Sequence, residues 1–246
     1  MRLIKLILLF IALMGVMKPT AAMNPFLPLW EHIPDGEPYI FDDPDCPGKK
    51  RVYIYGSHDM LKTEYCGTDL VVWSAPLDSL DNWRYDGVIF SSIFDRDGNP
   101  LNEGAKPDVL YAPDVTERTL PSGKKEYYMI PNNQTGNRGG MVTKSDRPDG
   151  PFRVINWSAD NPKAVDGDFR FDPAIFIDDD GRVYGYWGFG RSMAAEIDPE
   201  TMATVKPGTQ IIEDLIPGHR QPGVERFFEA SSMRKVDDKY VFIYSR

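Results

Sequence analysis

Four carboxylates stand at comparable places along this chain: Asp35 in Ile-Pro-Asp-Gly-Glu-Pro, Asp114 in Ala-Pro-Asp-Val, Asp172 in Phe-Asp-Pro-Ala and Glu229 in Phe-Glu-Ala-Ser. Each lies in a short segment rich in Pro or small residues, ahead of a Tyr-rich strand pattern. Carboxyl groups whose surroundings push their pKa values apart can divide proton chemistry between them. One acts as acid and another as base or nucleophile, which is the pair that glycosidic bond cleavage needs. Asp35, Asp172 and Glu229 are the candidates. Turn formation is the competing account of Asp35, between Pro34 and Gly36, and of Asp172, before Pro173. Glu229 follows two Phe residues, where a purely structural acid is harder to explain because an unpaired buried charge is costly. Asp114 reads first as a structural residue opening its repeat, with a channel-lining role second.

The elements that must position these acids are written as a weak internal repeat. Four segments share a turn followed by an alternating strand: Gly48 to Tyr55, Gly123 to Ile130, Asp180 to Trp187 and Asp237 to Tyr244. With Tyr53, Tyr128, Tyr184 and Tyr240 taken as equivalent, the spacings are 75, 56 and 56 residues. Repeats of this size built from short strands predict the blades of a β-propeller. The 21 Gly and 21 Pro agree with many tight turns, and no long helical period is present. The first strand of each propeller blade lines a central channel, so acids at the same place in successive blades converge on its axis. A five-bladed ring at this repeat length needs roughly 280 residues. Four blade signals are present and the last ends within an apparent strand, so the expected fold is an all-β, five-bladed propeller that is incomplete at its C-terminal end.

Composition narrows the function further. The formal net charge of -9 argues against nucleic acid, whose phosphates need a basic surface. Aromatic residues at 12% suit a neutral ligand such as a sugar. Arg2 and Lys5, the apolar run Leu6 to Val16 and the small residues Ala21-Ala22 form the three parts of a secretory signal. Residues 1–22 are therefore expected to be removed, leaving residues 23–246 as a propeller domain that is secreted or periplasmic and not membrane-bound. Cys46 and Cys66 could pair in an oxidising compartment, although two cysteines do not make a disulfide framework.

The motifs in order resemble glycoside hydrolase family 43 over nearly the whole mature length. Pro34-Asp35-Gly36-Glu37-Pro38 followed by Tyr53-Ile54-Tyr55-Gly56-Ser57-His58-Asp59 looks like its first blade. Val72-Trp73-Ser74 with Asn82-Trp83, then Tyr111-Ala112-Pro113-Asp114-Val115, continue the pattern. Asp172 to Gly181 is similar to the opening of its third blade, and Phe228-Glu229-Ala230-Ser231 stands where the family carries its acid. The resemblance implies Asp35 as general base, Glu229 as general acid, and Asp172 as the carboxylate that raises and orients that acid. It implies inverting cleavage of α-L-arabinofuranosyl or β-D-xylosyl linkages in plant oligo- or polysaccharides, with base and acid roughly 6.5–9.5 Å apart. A non-catalytic carbohydrate-binding propeller and a galactan-active or retaining hydrolase remain as alternatives. Many members have Glu-Gly-Pro-His where this chain has Glu229-Ala230-Ser231-Ser232, which alters the wall of the sugar pocket.

Around that core, Trp187 is the residue expected to stack on a sugar, because its strand follows Asp172. His58 is placed either at the channel from the end of its strand or in a structural hydrogen bond. His32 and His219 lack metal-ligand spacing, and Asp178-Asp179-Asp180-Gly181 reads as a hairpin turn and not a calcium loop. No cofactor is expected; a calcium ion in the central channel, found in some relatives of the family, has no identifiable ligand here. Asn133-Gln-Thr and Asn156-Trp-Ser fit the glycosylation acceptor pattern, which is common by chance.

Overall fold

The computed structural model describes residues 26–59, 66–101, 108–133, 138–217 and 226–246; the export signal read in residues 1–22, and His219, lie outside them. Residues 32–246 group as one compact unit. In the short segment ahead of it the Glu31 N–H donates to the Pro28 carbonyl, closing a turn.

Strands form where the sequence alternates or runs apolar between Gly- and Asp-rich turns. The first sheet holds β1 (Glu37–Asp42), β2 (Lys50–Tyr55), β3 (Asp69–Pro76) and β4 (Arg84–Ser91). The second holds β5 (Asp114–Thr119), β6 (Lys125–Ile130), β7 (Thr143–Ser145) and β8 (Arg153–Val154). The third holds β9 (Ala174–Ile177), β10 (Val183–Trp187), β11 (Met193–Ile197) and β12 (Ile212–Glu213). A fourth, two-stranded sheet pairs β13 (Ser232–Val236) with β14 (Lys239–Ile243). Within each sheet the strands pair antiparallel in chain order, each with the next. Tyr53, Tyr128, Tyr184 and Tyr240 each fall on the second strand of a sheet, so the repeat was aligned correctly.

The sheets stack face to face with apolar layers between them. Tyr53, Tyr55, Leu70 and Val72 of the first meet Val115, Tyr127 and Met129 of the second. Tyr128 and Ile130 then meet Ile175, Val183, Ala195 and Ile197 of the third. Ala174, Tyr186 and Ala194 pack with Met233 and Phe242 of the fourth. A sheet covered on both faces cannot alternate cleanly between apolar and polar, which is why β6, with the first sheet on one side and the third on the other, is buried along nearly its whole length. Each large side chain removed from water here contributes roughly 1.5–3 kcal/mol. The first strands are neighbours in succession: β1 lies beside β5, β5 beside β9, and β9 beside β13. Antiparallel four-stranded meanders packed around their first strands are propeller blades, here three complete ones and the inner pair of a fourth among the described residues.

Two expectations need correction at this level. Trp187 belongs to the core between the second and third blades, 3% exposed and set edge-on to Phe169 at 5.8 Å between centroids. It cannot stack on a sugar, because both faces of its strand are covered. His58 is not at the channel: its Nδ1 lies 2.7 Å from Asp69 Oδ1 at the start of β3. Cys46 is exposed and Cys66 buried, both as free thiols, and burial pushes the Cys66 thiol up to about 11. Asn156 spends its amide on the fold, donating to the carbonyls of Gly140 and Asp166 and accepting from Val142 N–H, each at 2.9 Å. The Asn133 pattern runs into residues outside the described ones.

Candidate active site

The acids are delivered by a shared backbone device. Asp35, Asp172 and Ala230 each stand two residues before the first strand of their blade, with φ of 56°, 52° and 63°. A non-glycine residue in the left-handed region costs on the order of 1–3 kcal/mol, and such residues cluster at functional sites. In the first and third blades the strained residue is the carboxylate itself; in the fourth, Glu229 directly precedes it. Gly56 makes room for the first of these turns, since a Cβ there would lie 2.6 Å from the Pro34 carbonyl oxygen. In the second blade Asp114 is instead the first residue of β5.

Asp35, Asp172 and Glu229 line a single cavity of about 520 Å³, and Asp114 and Glu37 line it too. The structure therefore brings together three blades' carboxylates from positions 35, 172 and 229, and leaves Trp187 and His58 outside. Ser57 Oγ donates to Asp35 Oδ2 at 2.8 Å and accepts from Ala112 N–H at 2.8 Å, coupling Asp35 to the second blade. Asp172 N–H donates to Asn132 Oδ1 at 3.2 Å, and Asp172 Oδ2 accepts from Ala230 N–H. Glu229 is anchored through its backbone: Ser245 Oγ accepts from its N–H at 3.2 Å, and its carbonyl accepts from Ser245 N–H at 2.9 Å.

Burial and mutual repulsion separate these groups electrostatically. Asp172 is pushed up to about 6, first by burial, against the pull of the Ala230 N–H, with Glu229, Asp35 and Glu37 adding to the rise. Glu229 is also raised, first by burial and then by Asp35. The repulsion between Asp172 and Glu229 thus falls mainly on Asp172, the more deeply buried partner. Because Asp172 takes a proton more readily folded than unfolded, its contribution to stability is complete below about pH 4 and is lost as pH rises through about 6. Asp172→Asn keeps an oxygen for the Ala230 N–H and removes the buried charge. It should stabilise the fold by up to about 3 kcal/mol at pH 8, taking the rise from 3.8 to about 6 at roughly 1.36 kcal/mol per unit, and have little effect at pH 4. Urea midpoints at the two pH values measure this, and an equal loss at both would refute it.

Below the cavity floor the inner strands are tied together by residues that the sequence patterns did not single out. Arg234 of β13 lies 4.1 Å over the Tyr39 ring and pairs with Glu37 of β1. Ser232 Oγ also donates to Glu37. Tyr39 donates to Asp114, which accepts from Ile175 N–H at 2.6 Å. Asp114, 2% exposed, is held well above the ordinary carboxylate range, by burial first and then by Glu37. It is therefore both structural and cavity-lining. The Arg234 guanidinium supplies positive charge facing Glu37 and Asp114. Among the described residues no group of three or more His, Cys, Asp or Glu is placed to hold a metal.

Residues 41–246 match the family described as glycosyl hydrolases family 43. The chain is 39% identical over 238 residues to a xylosidase/arabinosidase of Thermoclostridium stercorarium, covering 90% of this chain and 46% of that protein. It is 28% identical to xylosidase/arabinosidase 43A of Humicola insolens, covering 79% of this chain and 68% of the relative. Its fold is similar to that of an α-L-arabinofuranosidase from Clostridium thermocellum, with a TM-score of 0.53, 24% identity, and 85% and 63% of the two chains covered. It is likewise similar to a GH43_1 enzyme from Xanthomonas citri complexed with xylotriose, with a TM-score of 0.61, 20% identity, and 88% and 66% covered. The chain thus spans about half the length of the Thermoclostridium relative.

Proposed function

Because this chain belongs to glycosyl hydrolases family 43, we propose that it is a glycosidase cleaving α-L-arabinofuranosyl or β-D-xylosyl linkages in plant oligo- or polysaccharides, by inversion at the anomeric carbon. The observation that carries the proposal is the meeting of Asp35, Asp172 and Glu229 from three blades around one cavity. The names of the two relatives favour the pentose substrates over a galactan.

In this mechanism Glu229 gives its proton to the glycosidic oxygen as the bond from C1 to that oxygen breaks. A water oxygen bonds to C1 from the opposite face, and its proton passes to Asp35. The acid must hold a proton near neutral pH, and the raised pKa of Glu229 is in the needed direction. A bound sugar displaces water from the cavity and strengthens that effect. Asp172 acts through the backbone: it grips the N–H of Ala230, so the peptide next to Glu229 is fixed in place. The apolar start of the chain supports export, by which the enzyme would meet its substrate outside the cytoplasm.

Proton NMR of the first-formed sugar from aryl α-L-arabinofuranosides and aryl β-D-xylosides tests the proposal. Release of the inverted anomer from at least one of them is expected. The retained anomer would make Asp35 a nucleophile and overturn inversion, and hydrolysis of neither would overturn the substrate class.

A further inference from the structure

Three phenylalanines form a continuous aromatic cluster that runs outward from the cavity. Phe171 lines the cavity that holds Asp35, Asp172 and Glu229. Its ring lies 5.0 Å from that of Phe189, and the Phe189 ring lies 4.9 Å from that of Phe228, with interplanar angles of 54° and 57°. Phe189 is 58% exposed and Phe228 42%. Single exposed apolar residues are ordinary, whereas a contiguous patch of them marks a binding surface. The backbone fixes this one in place. Phe189 stands in the turn between β10 and β11. Gly188 N–H donates to the Phe171 carbonyl at 2.8 Å, and Gly190 N–H donates to the Phe228 carbonyl at 2.7 Å. The turn is thus clamped to the two residues that lead into Asp172 and Glu229. Gly188, with φ of 142°, permits this, since a Cβ there would collide with the Arg191 carbonyl. Arg191 holds the far side of the turn, its Nε donating to Asp214 Oδ1 at 3.0 Å.

We infer that Phe189 and Phe228 form the surface on which the leaving-group sugar stacks, and that this sugar is a pyranose with equatorial hydroxyls, such as a xylose unit. The inference rests on the hydrolase function proposed above, and it goes further by giving the leaving unit a place and a ring form. A general acid touches the oxygen that joins the two sugars, so the leaving ring lies on the side of Glu229, and Phe228 is the residue before it. Phe171 makes the aromatic surface continuous with the cavity wall. The three side chains carry no charge and no hydrogen-bonding group, so what they recognise is an apolar face. A pyranose with equatorial hydroxyls has one. Its axial C–H bonds point out of the ring faces, and their hydrogens suit the negative face of an aromatic ring. A puckered furanose offers less flat area. An aliphatic chain would cover the rings equally well but would bring no glycosidic oxygen to Glu229.

The test is calorimetric binding in the Glu229→Gln background, so that it does not depend on turnover. The probes are xylobiose and an arabinofuranosyl-xylobiose. They are compared with methyl β-D-xylopyranoside and methyl α-L-arabinofuranoside, which carry the same cleaved units and no leaving ring. At least one oligosaccharide should bind about 10–30-fold more tightly than its methyl glycoside, the scale of removing one apolar ring face from water. Phe189→Ala should abolish most of that advantage and leave the methyl glycosides little changed, while Phe189→Trp should keep it. Phe189 is exposed, so its truncation should not lower the melting temperature. Phe228→Leu, which keeps bulk and loses the ring, should reproduce the loss. No advantage before substitution, an advantage that survives both Phe189→Ala and Phe228→Leu, or an equal loss for the methyl glycosides overturns the stacking surface. Loss of the advantage in a chain that, unmodified, hydrolyses neither oligosaccharide would keep the surface and sink the hydrolase function. Hydrolysis with the advantage untouched by substitution would do the reverse, and neither binding nor hydrolysis of any probe would sink both.

Discussion

Glu229→Gln is expected to lower kcat/KM on an unactivated arabinoside or xyloside by about 10²–10⁴-fold, the usual worth of a positioned general acid. The substitution is nearly isosteric, and Glu229 is anchored by backbone bonds to Ser245, so the fold should not change. Two further signatures separate an acid from a merely structural glutamate. Loss should be far smaller on a dinitrophenyl glycoside, whose leaving group needs no proton. The alkaline limb of the pH–rate profile should also flatten. An acid works only while protonated, so activity falls as pH rises through its raised pKa, and removing the acid removes that fall. Equal losses on activated and unactivated substrates would remove Glu229 from the acid role. Asp35→Asn gives the complementary result, with no relief from a better leaving group, because the attacking water still lacks its base.

Arg234→Met should destabilise the fold by about 3 kcal/mol, the low end for breaking a buried ion pair. The guanidinium and the Glu37 carboxylate are 27% and 21% exposed, so solvent screens them only in part. Without Arg234, the Glu37 and Asp114 carboxyl groups, which lie within hydrogen-bonding reach of each other, have no counter-charge. The loss should shrink in acid, where the carboxyl groups are neutral, and grow as pH rises. Arg234→Met combined with Glu37→Gln should recover most of it, since replacing a whole pair is far less harmful than orphaning one member. Urea unfolding of the two variants at pH 5 and pH 8 measures both effects. A single variant as stable as the parent would show that the pair carries no weight. β13, which contains Arg234, begins three residues after Glu229, so the same variant should also loosen the acid and reduce kcat more than it raises KM.

Much of this site was legible before any coordinates. The Tyr repeat marked the second strand of each blade, because a strand flanked by Gly and Asp turns leaves a local pattern. The acids ahead of the strands were found for the same reason: Pro34-Asp35-Gly36 and Asp172-Pro173 are turn sequences, and the left-handed backbone at Asp35 and Asp172 is what those turns use. Trp187 was misplaced because an aromatic residue late in a strand looks the same whether it meets a sugar or a neighbouring blade. Nothing adjacent to it in the chain tells the two apart.

By itself, then, the sequence determined the all-β class, the blade spacing and the three acids, all of which are encoded by near neighbours. Only the tertiary structure decided that Arg234 and Ser232 would meet Glu37, across 197 and 195 residues. It also decided that Phe189 would meet both Phe171 and Phe228. Those outcomes depend on how far each blade is rotated about the common axis. That rotation is set by apolar packing between sheets, a sum over many contacts that no short stretch of residues contains.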